Sequence, residues 1–269
     1  MGNYVCTTPA AGGAGDEGEA RQNQMKQINK DYPVMKIVLL GLEGSGKTTL
    51  INKILGHVPG KFAPGINDNK QFAPTTGSHL YQMVNNSMMF GIWDIGGMPV
   101  IVRNWKLYLE ATRVVVYAID STKDVHVLAN KDDKSFQDML SAAEKACRSQ
   151  ITTASIATQM THTNALVNKK PFILVILTKR DPNSSMSIGI DKILSYVRID
   201  QHCKSRGFEF KILEVSVKNP KSLEVLKNTL HRCCLNSLKS TGELQKSYLS
   251  KNVANDYNQN NNPPPQVYK

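Results

Sequence analysis

The run Gly41-Leu42-Glu43-Gly44-Ser45-Gly46-Lys47-Thr48 places three glycines, a lysine and a threonine in the spacing G-x-x-x-x-G-K-T, which suits a triphosphate. Such a group is a multiply charged anion. Backbone N–H groups of a tight loop, with the positive end of a following helix, can surround it. Gly41, Gly44 and Gly46 allow backbone conformations and close approaches that side chains forbid. Lys47 is spaced to reach the β- and γ-phosphates, and the Thr48 hydroxyl to bind Mg²⁺, with Thr49 carrying the loop into a helix.

Further candidates follow. Asp94 closes an apolar run, where a carboxylate can hold Mg²⁺ opposite Thr48. Thr75 offers a second hydroxyl on a preceding loop, and Gly97 a backbone N–H free of side-chain bulk. Both suit the sensing of a γ-phosphate, whose loss would release two loops. In Thr178-Lys179-Arg180-Asp181 the last carboxylate can accept paired hydrogen bonds from N1–H and the exocyclic amine of guanine, a donor pair that adenine lacks. The Lys179 stem can cover the base. Ser216-Val217-Lys218 can bring backbone donors near the guanine oxygen.

Residues 35–40, Met-Lys-Ile-Val-Leu-Leu, read as a buried strand before the loop, and residues 49–55 as a helix after it. Residues 80–84 and 88–93 read as a hairpin about Asn85-Asn86-Ser87. Residues 113–119, 172–177 and 208–216 read as further strands, and residues 100–109, 133–148, 188–203 and 223–238 as helices. Alternating strands and helices predict a three-layer α/β fold with a mainly parallel sheet and one antiparallel edge strand. Ligands of such sheets bind at the carboxyl ends of the strands, where the three motifs fall.

These residues resemble the Ras-like GTPases, and within them the Arf, Arf-like and Sar branch. Residues 41–49 look like that branch's phosphate loop, Phe72-Ala73-Pro74-Thr75-Thr76-Gly77 like its first switch, and residues 90–97 with Trp105-Lys106-Leu107-Tyr108 like its second. The similarity spans about residues 34–239. It implies GTP/GDP and Mg²⁺ as ligands, and effector, exchange-factor and activating-protein partners. It also implies membrane traffic or ciliary transport on a cytoplasmic membrane face (Golgi, endomembrane or cilium). A Gα subunit would need a helical domain for which residues 49–74 leave no room.

The departures carry expectations of their own. The branch has Gln directly after the second switch's glycines, to orient the attacking water. Here Met98 stands there, and a thioether offers no donor–acceptor pair. Intrinsic hydrolysis is therefore expected below roughly 10⁻⁴ per second, unless a partner supplies the missing group. Thr178 replaces the usual Asn, a change expected to weaken the motif's bonds to the phosphate loop while leaving Asp181 intact. Of the family's effector trio, Trp93 and Tyr108 match and Ser78 departs. A nucleotide-bound scaffold that does not cycle is the alternative from another class. A P-loop ATPase or kinase is opposed by Asp181.

The chain has 269 residues and a formal charge of +11, which favours acidic partners such as phospholipid headgroups. It shows no long Lys/Arg cluster of the kind that marks nucleic-acid binders. Five cysteines without zinc-ligand spacing fit a reducing compartment. Residues 1–33 read as a flexible arm. Gly2, with Cys6 where Ser or Thr is usual, approximates an N-myristoylation signal, and Cys6 is a candidate for palmitoylation. Residues 149–168 read as an insertion, residues 240–269 as a disordered polar tail, and the protein as a monomer.

Overall fold

A computed structural model describes residues 34–55, 74–85, 88–157, 170–181 and 187–241. Its centre is a six-stranded sheet in the order β2-β3-β1-β4-β5-β6. The strands are β1 (Val34–Leu40), β2 (Ser78–Asn85), β3 (Met88–Ile95), β4 (Val114–Asp120), β5 (Phe172–Thr178) and β6 (Phe210–Glu214). All neighbours are parallel except β2, which pairs antiparallel with β3 at the edge. The expected three-layer architecture with one antiparallel edge strand is the one found.

Alternation along the buried strands builds both faces. Val114, Val116 and Ala118 of β4 join one core with Leu50, Ile51, Leu226 and Leu230, which lie on helices α1 (Lys47–Ile54) and, later in the chain, Pro220–Thr241. Val115, Tyr117 and Ile119 enter the opposite core with Phe136, Met139, Ile193 and Cys203. That second layer begins after β3 with α2 (Pro99–Val102) and a 3₁₀ turn, Trp105–Tyr108. After β4 come α3 (Val125–Val127), a π-turn (Leu128–Asp132) and α4 (Asp133–Ala157). α5 (Ile190–Val197) and α6 (Ile199–Ser205) precede β6, and α7 (Pro220–Thr241) follows it.

Several boundaries differ from the sequence reading. The helix expected over residues 100–109 is two short turns, broken at Arg103 and Asn104. The helix expected over residues 188–203 is split at Arg198, whose φ of +49° is left-handed. Arg198 holds that bend by donating to Asp133, which also accepts from Gln137 at 2.7 Å and pairs with His202 at 2.8 Å. Helix α4 continues through residues 149–157, the first part of the stretch read as an insertion, because Ser, Thr and Ala there are compatible with a helix already nucleated. Residues 158–169, the arm with Gly2 and Cys6, the hairpin turn at 86–87 and the tail from 242 lie outside the described residues. Cys233 and Cys234 of α7 are buried.

Candidate nucleotide site

β1 ends at Leu40 and α1 begins at Lys47, so the phosphate-loop residues form the link between them. Gly44 and Gly46 have φ of +74° and +82°, conformations that a side chain would strain. The Lys47 ammonium donates to the Gly41 carbonyl at 2.7 Å and the Leu42 carbonyl at 3.0 Å. Burial lowers its pKa to about 8, against the opposing pull of Asp94.

Three oxygens from three separate elements converge beside Lys47. Thr48 Oγ1 donates to Asp94 Oδ2 at 2.7 Å and lies 3.0 Å from Thr75 Oγ1. Asp94 is fully buried, and its Oδ1 has no hydrogen-bond partner. Burial raises its pKa, though the Thr48 hydroxyl and Lys47 oppose the shift. An orphaned carboxylate oxygen beside two hydroxyls is a set of hard oxygen donors and fits Mg²⁺. Among the described residues no trio of His, Cys, Asp or Glu side chains could hold a metal.

Gly97 packs directly on the phosphate loop. A β-carbon there would sit 2.4 Å from Glu43 N and from Gly41 O, and the Gly97 carbonyl accepts from Glu43 N–H at 3.1 Å. A cavity of about 430 Å³ is lined by Gly44, Lys47, Thr48, Thr75, Met98 and Lys179, with Glu43, Gly46, Thr49 and Gly97 completing the loop side. Met98 reaches the cavity and is half-buried.

The base motif lies at the end of β5, with Thr178 opposite Asp120 of β4. Its substitution does not break the link to the phosphate loop: Thr178 Oγ1 donates to the Ser45 carbonyl at 2.8 Å and approaches the Ile119 carbonyl at 3.1 Å. Lys179 has a left-handed φ of +59°, and its ammonium pairs with Asp120 Oδ2 at 2.6 Å, which fixes the stem. Asp181 accepts from Ser216 Oγ at 2.5 Å and pairs with Lys218 at 2.7 Å. The Lys218 and Ser216 bonds depress its pKa. Val217 lies between them, half-buried. Asp120 escaped the sequence reading; its place at the end of a buried strand, with Thr122 two residues on, was the available signal.

Trp93 and Tyr108 meet with ring centroids 6.0 Å apart. Trp93 lies opposite Leu80 in the hairpin, so it shares a sheet face with Ser78, and Lys36 stands 5.8 Å over its ring.

The family model for the ADP-ribosylation factor family matches residues 21–155, just over half of the chain. The chain belongs to the ADP-ribosylation factor family. Its match includes the phosphate loop and the Asp94 motif, whereas β5, β6 and the base motif lie beyond it.

Relatives of this Arf-family chain include ADP-ribosylation factor-like protein 2 of Arabidopsis thaliana, 32% identical over 98 residues, which are 36% of this chain and 48% of that protein. The factor-like protein alp41 of Schizosaccharomyces pombe is 29% identical over 107 residues, 40% of this chain and 50% of its own. Matches therefore span about half the length of these curated relatives. Among solved structures, the Arl6 BBS3 small GTPase from Trypanosoma brucei with bound nucleotide analogue GppNp superposes with a TM-score of 0.52 at 18% identity, covering 74% of this chain and 99% of that one. At that identity the likeness shows the fold.

Proposed function

We propose that this Arf-family chain is a guanine-nucleotide-dependent switch with slow or partner-dependent GTP hydrolysis, working at a cytoplasmic membrane face in membrane traffic or ciliary transport. The observation that carries this reading is the convergence of Thr48, Thr75 and Asp94 oxygens beside Lys47. In this reading Thr75 belongs to a loop held only while a γ-phosphate is present, and the Gly97 loop responds to the same group.

The phosphate-loop backbone and Lys47 bind the phosphates. Mg²⁺, held by Thr48, Thr75 and Asp94, would neutralise charge on the β- and γ-oxygens. Asp181 reads the guanine edge, the Lys179 stem covers its face, and the backbone of Ser216, Val217 and Lys218 meets its oxygen. Binding guanine requires the Ser216 and Lys218 contacts on Asp181 to share or yield its oxygens. Met98 cannot orient water, so hydrolysis waits on another group. Trp93, Tyr108 and Ser78 form the effector-facing surface. Exchange, activating and effector proteins complete the cycle, and lipid on Gly2 or Cys6 supplies peripheral attachment. The domain runs from residue 34 to about 239, between an arm and a polar tail.

Limited proteolysis with GDP and with a GTP analogue tests the switch. Different cleavage at the Thr75 and Gly97 loops is expected; identical digestion contradicts it. Met98 at the cavity favours a second reading, a GTP-bound scaffold that does not cycle. Stable GTP retention without turnover under any partner supports that reading.

A further inference from the structure

At the end of the sheet away from the candidate nucleotide site, three cations surround one carboxylate. Glu144 of α4 lies 3.0 Å from Arg148, 3.7 Å from Arg206 and 3.8 Å from Lys170. Lys170 also lines a cavity of about 260 Å³ with Glu209, Cys233 and Ser237. Lys211 and Arg232 act on Cys233 at the same end, lowering the pKa that burial raises, and Arg113 acts likewise on Cys234. With Lys36, whose ammonium donates to the Glu110 carbonyl at 2.7 Å beside Arg113, seven cations here stand against the carboxylates of Glu110, Glu144 and Glu209.

The topology explains why they meet. β1, β4, β5 and β6 run parallel, so their starting residues share one end. α7 begins at Pro220, just past Lys218, and returns along the sheet until Cys233 and Ser237 reach Phe172 at the start of β5. Residues 1–33 join the domain at the start of β1, and residues 242–269 follow the end of α7, so both segments meet the fold at this basic end.

We propose that this basic end docks on the anionic headgroups of a lipid bilayer. The surplus of positive charge complements such a surface, and the arm carrying Gly2 enters the fold beside it. A lipid on that arm would bring this end to the bilayer and leave the nucleotide site facing away. A single acyl chain binds only marginally, and a basic surface is the kind of second signal that makes attachment stable. The proposal deepens the peripheral-membrane reading and rests on it, but not on nucleotide chemistry.

The test uses the full-length, unacylated chain and sedimentation with phosphatidylcholine vesicles, with or without about one-third phosphatidylserine. Binding is expected only with phosphatidylserine and is expected to fall steeply as salt rises. Lys211→Glu with Arg232→Glu should lower the partition coefficient at least about tenfold. Lys134→Glu with Lys192→Glu, an equal charge change near the nucleotide end, should leave most of it. Guanine-nucleotide retention by each variant reports separately on the fold and on the nucleotide reading. Equal binding to both vesicle types, salt-insensitive binding or equal loss in the two variants overturns the proposal. So does retention on polyuridylate without retention on phosphatidylserine. Phosphatidylserine binding that persists in a chain retaining no guanine nucleotide sinks the switch and leaves the lipid surface standing.

Discussion

Thr48 Oγ1 donates to Asp94 Oδ2 at 2.7 Å while the other Asp94 oxygen, buried, has no hydrogen-bond partner. A helix start and a strand end thereby share one bond and leave one charged acceptor for a cation. Asp94→Ala is expected to remove most of the Mg²⁺ dependence of nucleotide release, so that chelator accelerates release in the parent but changes the variant less than about twofold. Release rates of a fluorescent guanine nucleotide, with and without chelator, measure this. A variant that still responds like the parent would take Asp94 out of the metal site.

Thr178 is expected to act as a clasp. Its hydroxyl ties β5 to the Ser45 carbonyl of the phosphate loop. Thr178→Val keeps the shape and deletes the bond, leaving a buried carbonyl short of a donor. A loss of about 1–2 kcal/mol in nucleotide affinity is expected, read as roughly tenfold faster release. Unchanged release would show that the loop holds its form without Thr178.

Asp132 and Asp133 are sequence neighbours with opposite expected pH behaviour. Burial raises the Asp132 pKa to about 6, with Lys123 at 3.9 Å opposing the shift and neither carboxylate oxygen hydrogen-bonded. Its folded-state pKa exceeds the unfolded one, so the parent loses stability as pH rises from about 4 to about 6. Asp132→Asn should therefore raise thermal stability at pH 7, by at most about 3 kcal/mol, and bring no gain near pH 4. Burial also pushes on Asp133, but hydrogen bonds from Arg198, His202 and Gln137 outweigh it and depress the pKa. That contribution is present above the unfolded pKa and disappears as pH falls through the folded one. Asp133→Asn should destabilise at pH 7, with a deficit that shrinks in acid. Thermal melts of both variants from about pH 2 to about pH 8 separate the two signs.

The phosphate loop, the Asp94 motif and the parallel strands were legible because local pattern and tertiary role coincide there. The stretch 114–119 is apolar on both faces and buried on both. The split at Arg198 was not legible, because its left-handed turn depends on Asp133, distant in sequence. The reach of α4 to Ala157 was hidden by residues with weak helical preference, which the packed helix carries along. Asp132 gave no local signal, because its burial comes from elements that meet only in the fold. The Thr178 substitution was readable as a departure, but its hydrogen bond to Ser45 depended on where the phosphate loop passes.

The most direct test is single-turnover hydrolysis of GTP preloaded with Mg²⁺, on the parent chain beside Met98→Gln. The account predicts stable GTP binding, a parent rate below roughly 10⁻⁴ per second and at least about tenfold acceleration by the glutamine. Failure to retain GTP, or rapid turnover by the parent, would contradict it.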